Sequence, residues 1–196
     1  MHHQHRNKLY ALFSQTQQSI IFLEGAKVMY RYQTDYEFAF RQESNFWYVS
    51  GVNEPDCAAI LDIDSKEFHL FVPKRDAQYA VWHGYVKSLD QYRTEYAPDH
   101  VHYIDELPEV IQKLQPSSAF CLDQHSEEQF RSHGPEISTN SEALIEALTD
   151  ARVIKTEDEL DCLRKASQVN NKAYERVIRH WKPGMYEYQA KAMFTE

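Results

Sequence analysis

The run Phe40-Arg41-Gln42-Glu43-Ser44-Asn45-Phe46-Trp47-Tyr48-Val49-Ser50-Gly51-Val52-Asn53-Glu54-Pro55 constrains the fold more than any other stretch. Three large aromatics, Phe46, Trp47 and Tyr48, stand side by side between the charges of Arg41, Glu43 and Glu54. Each aromatic that is fully buried contributes about 1.5–3 kcal/mol, so a run this apolar belongs to a core. Ser44 is read as a helix N-cap, because its hydroxyl can accept from an early backbone N–H. Gly51 is read as the stop, because glycine takes the left-handed conformation past a helix end without steric cost. One or two helical turns are expected, with Glu54-Pro55 leading into the next strand.

Around this run the chain alternates strands and helices. Leu9, Leu12 and Phe13 fall at helical spacing and predict a helix ending near Ser14-Gln15. His2, His3 and His5 could hold a metal, but such a cluster is read here as a frayed, solvated terminus or an expression remnant. Ser19-Ile20-Ile21-Phe22-Leu23 predicts a buried strand ended by Glu24-Gly25. Residues 57–63 and 67–72 predict a hairpin with Asp64-Ser65-Lys66 as its turn, and Pro73 ends the pairing. Helices are expected over 75–83 and 88–96. His100-Val101-His102 places two imidazoles on one face of an extended segment. That spacing can chelate a metal, yet no acidic or cysteine partner is fixed nearby, so a solvated strand face is expected. Asp105 is read as the cap of a helix to Leu114. A strand at 119–122 and helices at 126–130 and 141–148 follow. Residues 152–155 read as a linker strand. The expected class is α/β, a mixed β-sheet flanked by helices.

The last third is two helices. Thr156-Glu157-Asp158-Glu159 forms a capping box, with acidic residues at the positive end of the helix dipole. Leu160, Leu163, Ala166, Asn170, Ala173, Val177 and Trp181 then recur at helical spacing until Lys182-Pro183-Gly184. Residues 185–196 are rich in helix formers and contain no stop, so the chain is expected to be the front part of a longer protein.

Charge and cysteine usage exclude several classes. A net charge of −9 over 196 residues repels phosphates, so neither nucleic acid nor a membrane surface is an expected partner. No window approaches the roughly 18 apolar residues of a membrane span. Gln15, Gln17 and Gln18 interrupt the N-terminal apolar stretch, so no signal peptide is read. Cys57, Cys121 and Cys162 are odd in number and widely spaced, which argues for a reducing, cytoplasmic setting.

The opening run resembles the hallmark segment of the N-terminal domain of Xaa-Pro peptidases, the prolidase and aminopeptidase P group. Arg41, Gln42, Ser44, Phe46, Tyr48, Gly51, Glu54 and Pro55 fit its pattern. Lys155-Thr156, Glu159-Leu160, residues 163–166 and residues 183–188 look like the opening helices of the family's pita-bread catalytic domain. Residues 71–75, Trp82-His83-Gly84, Tyr96-Ala97 and residues 103–106 lean towards prolidase. The resemblance implies a creatinase/aminopeptidase P-type N-terminal domain over residues 1–153 and the first helices of a truncated metallopeptidase domain over residues 154–196. It also implies a cytoplasmic parent hydrolase that cleaves before proline in short peptides, works as a homodimer or homotetramer, and uses two manganese ions. Their ligands, two Asp, one His and two Glu, lie in the family past the equivalent of Glu196. No catalytic and no metal residue is therefore expected in this chain, and none of the common local motifs of hydrolases or nucleotide sites occurs in it. The one candidate site residue is Trp82, which matches a tryptophan that the family presents to a neighbouring subunit's active site. A flat indole suits a rigid apolar proline ring. The alternative is that Trp82 packs on its own domain. His83 beside it carries no assigned role. Two other functions stay open: an aminopeptidase P acting on longer peptides, and a metal-free peptidase-like domain that binds histones or other basic peptides.

Overall fold

The computed structural model describes residues 1–196 and divides them into two compact units, residues 2–153 and residues 154–196 with Met1. The first unit is built on one mixed sheet. Its elements run α1 (His2–Leu12), β1 (Ser19–Glu24), α2 (Ser44–Ser50), β2 (Ala58–Asp62), β3 (Phe68–Val72), α3 (Ala77–His83), α4 (Leu89–Tyr96), β4 (His100–Tyr103), a 3-10 turn at Ile104–Glu106, α5 (Leu107–Leu114), β5 (Ser118–Phe120), α6 (Gln124–His133), β6 (Ser138–Thr139) and α7 (Ser141–Val153). The strands lie in the order β4-β3-β2-β1-β5-β6. The central pairs β1–β2 and β2–β3 are antiparallel, while β3–β4, β1–β5 and β5–β6 are parallel.

The sheet is covered on both faces, so its central strands are apolar on both sides. One face carries Ile21, Leu23, Ala59, Leu61, Phe68 and Leu70 against α1, α2 and α7. The other carries Ile20, Phe22, Ala58, Ile60 and Phe71 against Leu107, Val110 and Ile111 of α5 and Phe130 of α6. The expected α/β class holds.

Local chemistry explains the element ends and corrects three expectations. In α2 the N-cap is Glu43, not Ser44. Glu43 Oε1 accepts from the Asn45 amide at 3.0 Å and Oε2 from the Phe46 amide at 2.6 Å. Ser44 is already helical, so its short hydroxyl is one position too late. Gly51 does end the helix, at φ 76°. A Cβ there would lie 2.6 Å from the His2 ring. Asp105 is not a cap: Glu106 Oε2 accepts from the Tyr103 amide at 2.7 Å, and Asp105 sits inside the 3-10 turn. Residues 152–155 form no strand. Arg152 and Val153 extend α7, where the Tyr48 hydroxyl donates to the Ala151 carbonyl at 3.0 Å and Arg152 Nη1 donates to Asn45 Oδ1 at 2.6 Å.

The N-terminal histidines are no frayed end. Residues 2–12 are helical and docked on α2. The His5 ring stacks on Tyr48 at 3.8 Å and 6°, and Nδ1 of His5 lies 2.7 Å from the Tyr48 carbonyl. Arg6 donates to the Val49 carbonyl at 3.0 Å and lies over Phe68. Tertiary contact, not helix propensity, holds this short segment.

The second unit is α8 (Glu157–His180) and α9 (Glu187–Thr195). Thr156 and Glu159 form the capping box: the Thr156 amide donates to Glu159 at 2.8 Å and the Glu159 amide to Thr156 Oγ1 at 3.3 Å. Tyr174 meets Phe194 edge-to-face at 5.2 Å between the helices.

Candidate functional site

The turn that carries Trp82 is built upward from a carboxylate. Glu54 ends the aromatic run, and its Oε1 accepts from Lys87 Nζ at 2.6 Å and the Tyr96 hydroxyl at 2.7 Å. Its Oε2 accepts from the Tyr92 hydroxyl at 2.6 Å. Lys87 also reaches Glu95 at 2.5 Å. Helix α4 therefore presents two tyrosines, at i and i+4, to one buried-side anion. Burial alone would push the Glu54 carboxyl up; the Lys87 ammonium and the two hydroxyls outweigh it and hold the carboxyl below its ordinary value. Burial first, then the bond to Glu54, pushes both tyrosine hydroxyls up, so they remain donors.

Above this hub lies a cavity of about 140 Å³ lined by Glu54, Arg75, Tyr79, His83, Lys87 and Tyr92 among others. Its far wall is α3. Asp76 caps that helix, accepting from the Tyr79 amide at 2.8 Å. Arg75 pairs with Asp56 at 2.5 Å and lies over the Tyr79 ring, which stacks on His83 at 4.2 Å. The stack Arg75–Tyr79–His83 uses the inner side of α3. The outer side is left to Val81 and Trp82, which are 75% and 79% exposed. Gly84 then breaks the helix at φ 84°. The result is an indole held out in solvent on a helix braced from below. The cavity contains no serine, threonine or cysteine among its lining residues.

Cys57, Cys121 and Cys162 are free, and burial pushes the Cys57 and Cys121 thiols up to about 12. No helix is long and apolar enough to cross a membrane.

His100 and His102 lie half-exposed on the edge strand β4, as expected of a solvated strand face, but they are not alone there. Strand β4 pairs with β3 in parallel, with His69 opposite His100 and Phe71 opposite His102. That register brings in a third imidazole. The His69 ring stacks on His100 at 4.6 Å and on His102 at 5.6 Å, and His102 stacks on Phe71 at 5.2 Å. His69 is 6% exposed. Burial, then the two neighbouring imidazoles, pulls its pKa down to about 4. His2 and His5 meet on one carbonyl, that of Tyr48, at 3.0 and 2.7 Å. Sequence reasoning missed Glu54 as a hub and His69 and Glu67 as companions of His100. The signal for the latter was an alternation, Glu67-Phe68-His69, one strand earlier.

Comparison with known proteins places this architecture. The chain matches the aminopeptidase P N-terminal domain over residues 2–120. It is 35% identical over 184 residues to the Xaa-Pro dipeptidase of Pongo abelii and 34% identical over 184 residues to that of Homo sapiens. Each match covers 90% of this chain and 37% of the relative, so the chain spans well under half the length of these curated relatives. The aminopeptidase PepP of Pseudomonas aeruginosa superposes with a TM-score of 0.83 at 22% identity, over 100% of this chain and 48% of that one, a likeness of fold alone. With its six-stranded mixed sheet and the aromatic helix on one face, the chain belongs to the aminopeptidase P N-terminal domain family.

Proposed function

We propose that this chain forms the N-terminal part of a dinuclear-metal Xaa-Pro dipeptidase, which hydrolyses the peptide bond before proline. The observation that carries this reading is the 35% identity to an Xaa-Pro dipeptidase across 90% of the chain. Residues 154–196 then open the catalytic domain. The exposed apolar residues of α8, Leu163, Val169, Tyr174 and Ile178, support this, because an amphipathic helix buries such a stripe against further protein. The free cysteines support a reducing, cytoplasmic setting.

The residues present do not fit a paired manganese site. Such a site needs several carboxylates, some shared between the ions. The metal-capable group here, Glu67, His69 and His100, offers two imidazoles and one carboxylate. The catalytic donors therefore belong to the rest of the protein, and the contribution of this chain is to shape the cleft and to build the dimer or tetramer. Expressed alone, the 196-residue chain is expected to release no proline from a Gly-Pro dipeptide, with or without manganese, while the parent reading frame does so. Metal-dependent turnover by the chain alone would overturn this assignment.

Trp82 has the role of a wall for the substrate proline in a neighbouring subunit's cleft. Its exposure on a braced helix supports this. In the parent enzyme Trp82→Ala is expected to raise KM for the dipeptide roughly tenfold, equivalent to about 1.4 kcal/mol of binding, with Trp82→Phe intermediate and the assembly state unchanged by sedimentation. An unchanged KM would return Trp82 to a surface aromatic without function. The aminopeptidase reading rests on 31% identity over 180 residues to a probable Xaa-Pro aminopeptidase of Penicillium rubens. A parent that prefers tripeptides with proline second over dipeptides would favour it. A parent that hydrolyses neither and binds basic peptides would favour the metal-free binding domain.

A further inference from the structure

The three histidines of the β3–β4 edge are more than a stacked surface. Parallel register puts His69 and His100 side by side, and both rings project on the face that carries Phe71. Nδ1 of His69 lies 3.3 Å from Nε2 of His102, so one proton is shared between them. With that proton on His69, its Nε2 carries a lone pair. This atom is buried and has no hydrogen-bond partner, a state that costs about 1–3 kcal/mol in a protein interior. It faces Glu67 Oε2 at 4.0 Å. Nε2 of His100 lies 3.4 Å from the same oxygen. The three donor atoms all lie within 4.8 Å of one another. A tetrahedral ion with bonds of about 2.0–2.1 Å holds its ligand atoms about 3.4 Å apart. A small closure of two half-exposed side chains, Glu67 and His100, completes that geometry around an unmet lone pair on His69.

We propose that Glu67, His69 and His100 bind one zinc-class divalent ion, with His102 as the positioning residue that orients the His69 ring from behind. The orienting bond is of the kind metal-bound histidines make through their second nitrogen. The fourth position opens to solvent, so water completes the shell. Two imidazoles and one carboxylate select zinc, cobalt or nickel over manganese. The ion clamps the edge strand β4, drawn from residue 100, onto β3. This site is independent of the dipeptidase reading.

The test uses the 196-residue chain with cobalt and zinc alone. One equivalent of cobalt should give the visible absorption of a four-coordinate ion, and one equivalent of zinc should displace it. Zinc should also raise the thermal midpoint and shift the His69 imidazole signals in NMR. His100→Ala and Glu67→Gln should each weaken zinc at least tenfold, and His102→Phe by about 10–100-fold, the usual effect of losing an orienting partner. Both His100 and Glu67 are half-exposed, so these variants should keep the wild-type circular dichroism. His3→Ala, at the exposed N-terminal histidine, should bind as wild type. The proposal is overturned if no stoichiometric zinc binds, or if His100→Ala and Glu67→Gln bind as tightly as the wild type, or if only His3→Ala loses the ion.

Discussion

Replacing Gln42 by leucine is expected to lower the unfolding free energy by about 3–5 kcal/mol, from the cost of about 1–3 kcal/mol for each buried polar group left without a partner. Gln42 is 8% exposed and uses both ends of its amide. Nε2 donates to the Val52 carbonyl at 3.1 Å and the Glu54 carbonyl at 2.9 Å. Oε1 accepts from the Ala26 amide at 2.5 Å and the Glu43 amide at 2.9 Å. One side chain thus ties the end of β1, the start of α2 and the exit towards β2. The backbone closes tightly around it: a Cβ on Gly25 would lie 3.1 Å from Oε1 and 2.9 Å from the Cys57 carbonyl. Leucine fills similar volume but leaves two carbonyls and two amides without partners in a site too tight for four waters. Gln42→Glu is a sharper control. It keeps the two accepted bonds but turns a carboxylate oxygen towards two carbonyls, so it should destabilise as much at pH 7 and recover partly at pH 4, when a protonated acid can donate once. Urea midpoints at constant m-value measure this. A loss under 1 kcal/mol for Gln42→Leu would mean that the four bonds are readily replaced by water.

How much of this was legible depended on the range of the interaction. The β2–β3 hairpin, the Thr156 capping box and the Gly51 stop are local devices, and the residues that make them lie within a few positions of each other. The N-cap of α2 shows where local reading slips. Ser44 has the favoured chemistry for a cap, but the helix begins one residue earlier than that role requires, and the longer Glu43 reaches the same amides. The β3–β4 cluster shows the larger failure. His100 and His102 were visible as a pair, but their acidic and imidazole partners come from residues 67 and 69. Only the parallel register, set by burial of Val101 and Leu70, brings them together. Tertiary contact likewise made a docked helix of residues 2–12 and lengthened α7 to Val153. The exposed Trp82 was found through resemblance; nothing in its neighbourhood of Val81 and His83 distinguishes a presented indole from a buried one.

The second large effect concerns the hub beneath that indole. Glu54→Leu is expected to cost about 2–4 kcal/mol, since hydrogen bonds to a charged group contribute about 1.5–3 kcal/mol each and this site is partly open to solvent. It strands the Tyr92 and Tyr96 hydroxyls and the Lys87 ammonium at once. Glu54→Gln keeps the shape and one accepting oxygen, so about half of that loss should suffice. The acid dependence separates charge from shape. The folded carboxyl sits below its ordinary value, so its contribution is fully present above the unfolded value of about 4.3 and is lost as pH falls through the folded one. The stability gap between wild type and Glu54→Gln should therefore hold from pH 7 to about 5 and close towards pH 3, because a protonated Glu54 offers Lys87 no more than an amide does. A gap that stays constant across that range would show that the three donors need only an acceptor of the right shape, not an anion. The same residue links stability to presentation of Trp82. Glu54 and Lys87 floor the cavity whose opposite wall is α3, and the inner stack of α3, Arg75 on Tyr79 on His83, rests on that cavity. Under the dipeptidase role proposed above, Glu54→Gln in the longer protein should thus raise KM for a proline dipeptide in the same direction as Trp82→Ala, though less, and the double variant should fall short of the sum, since both changes disturb one wall.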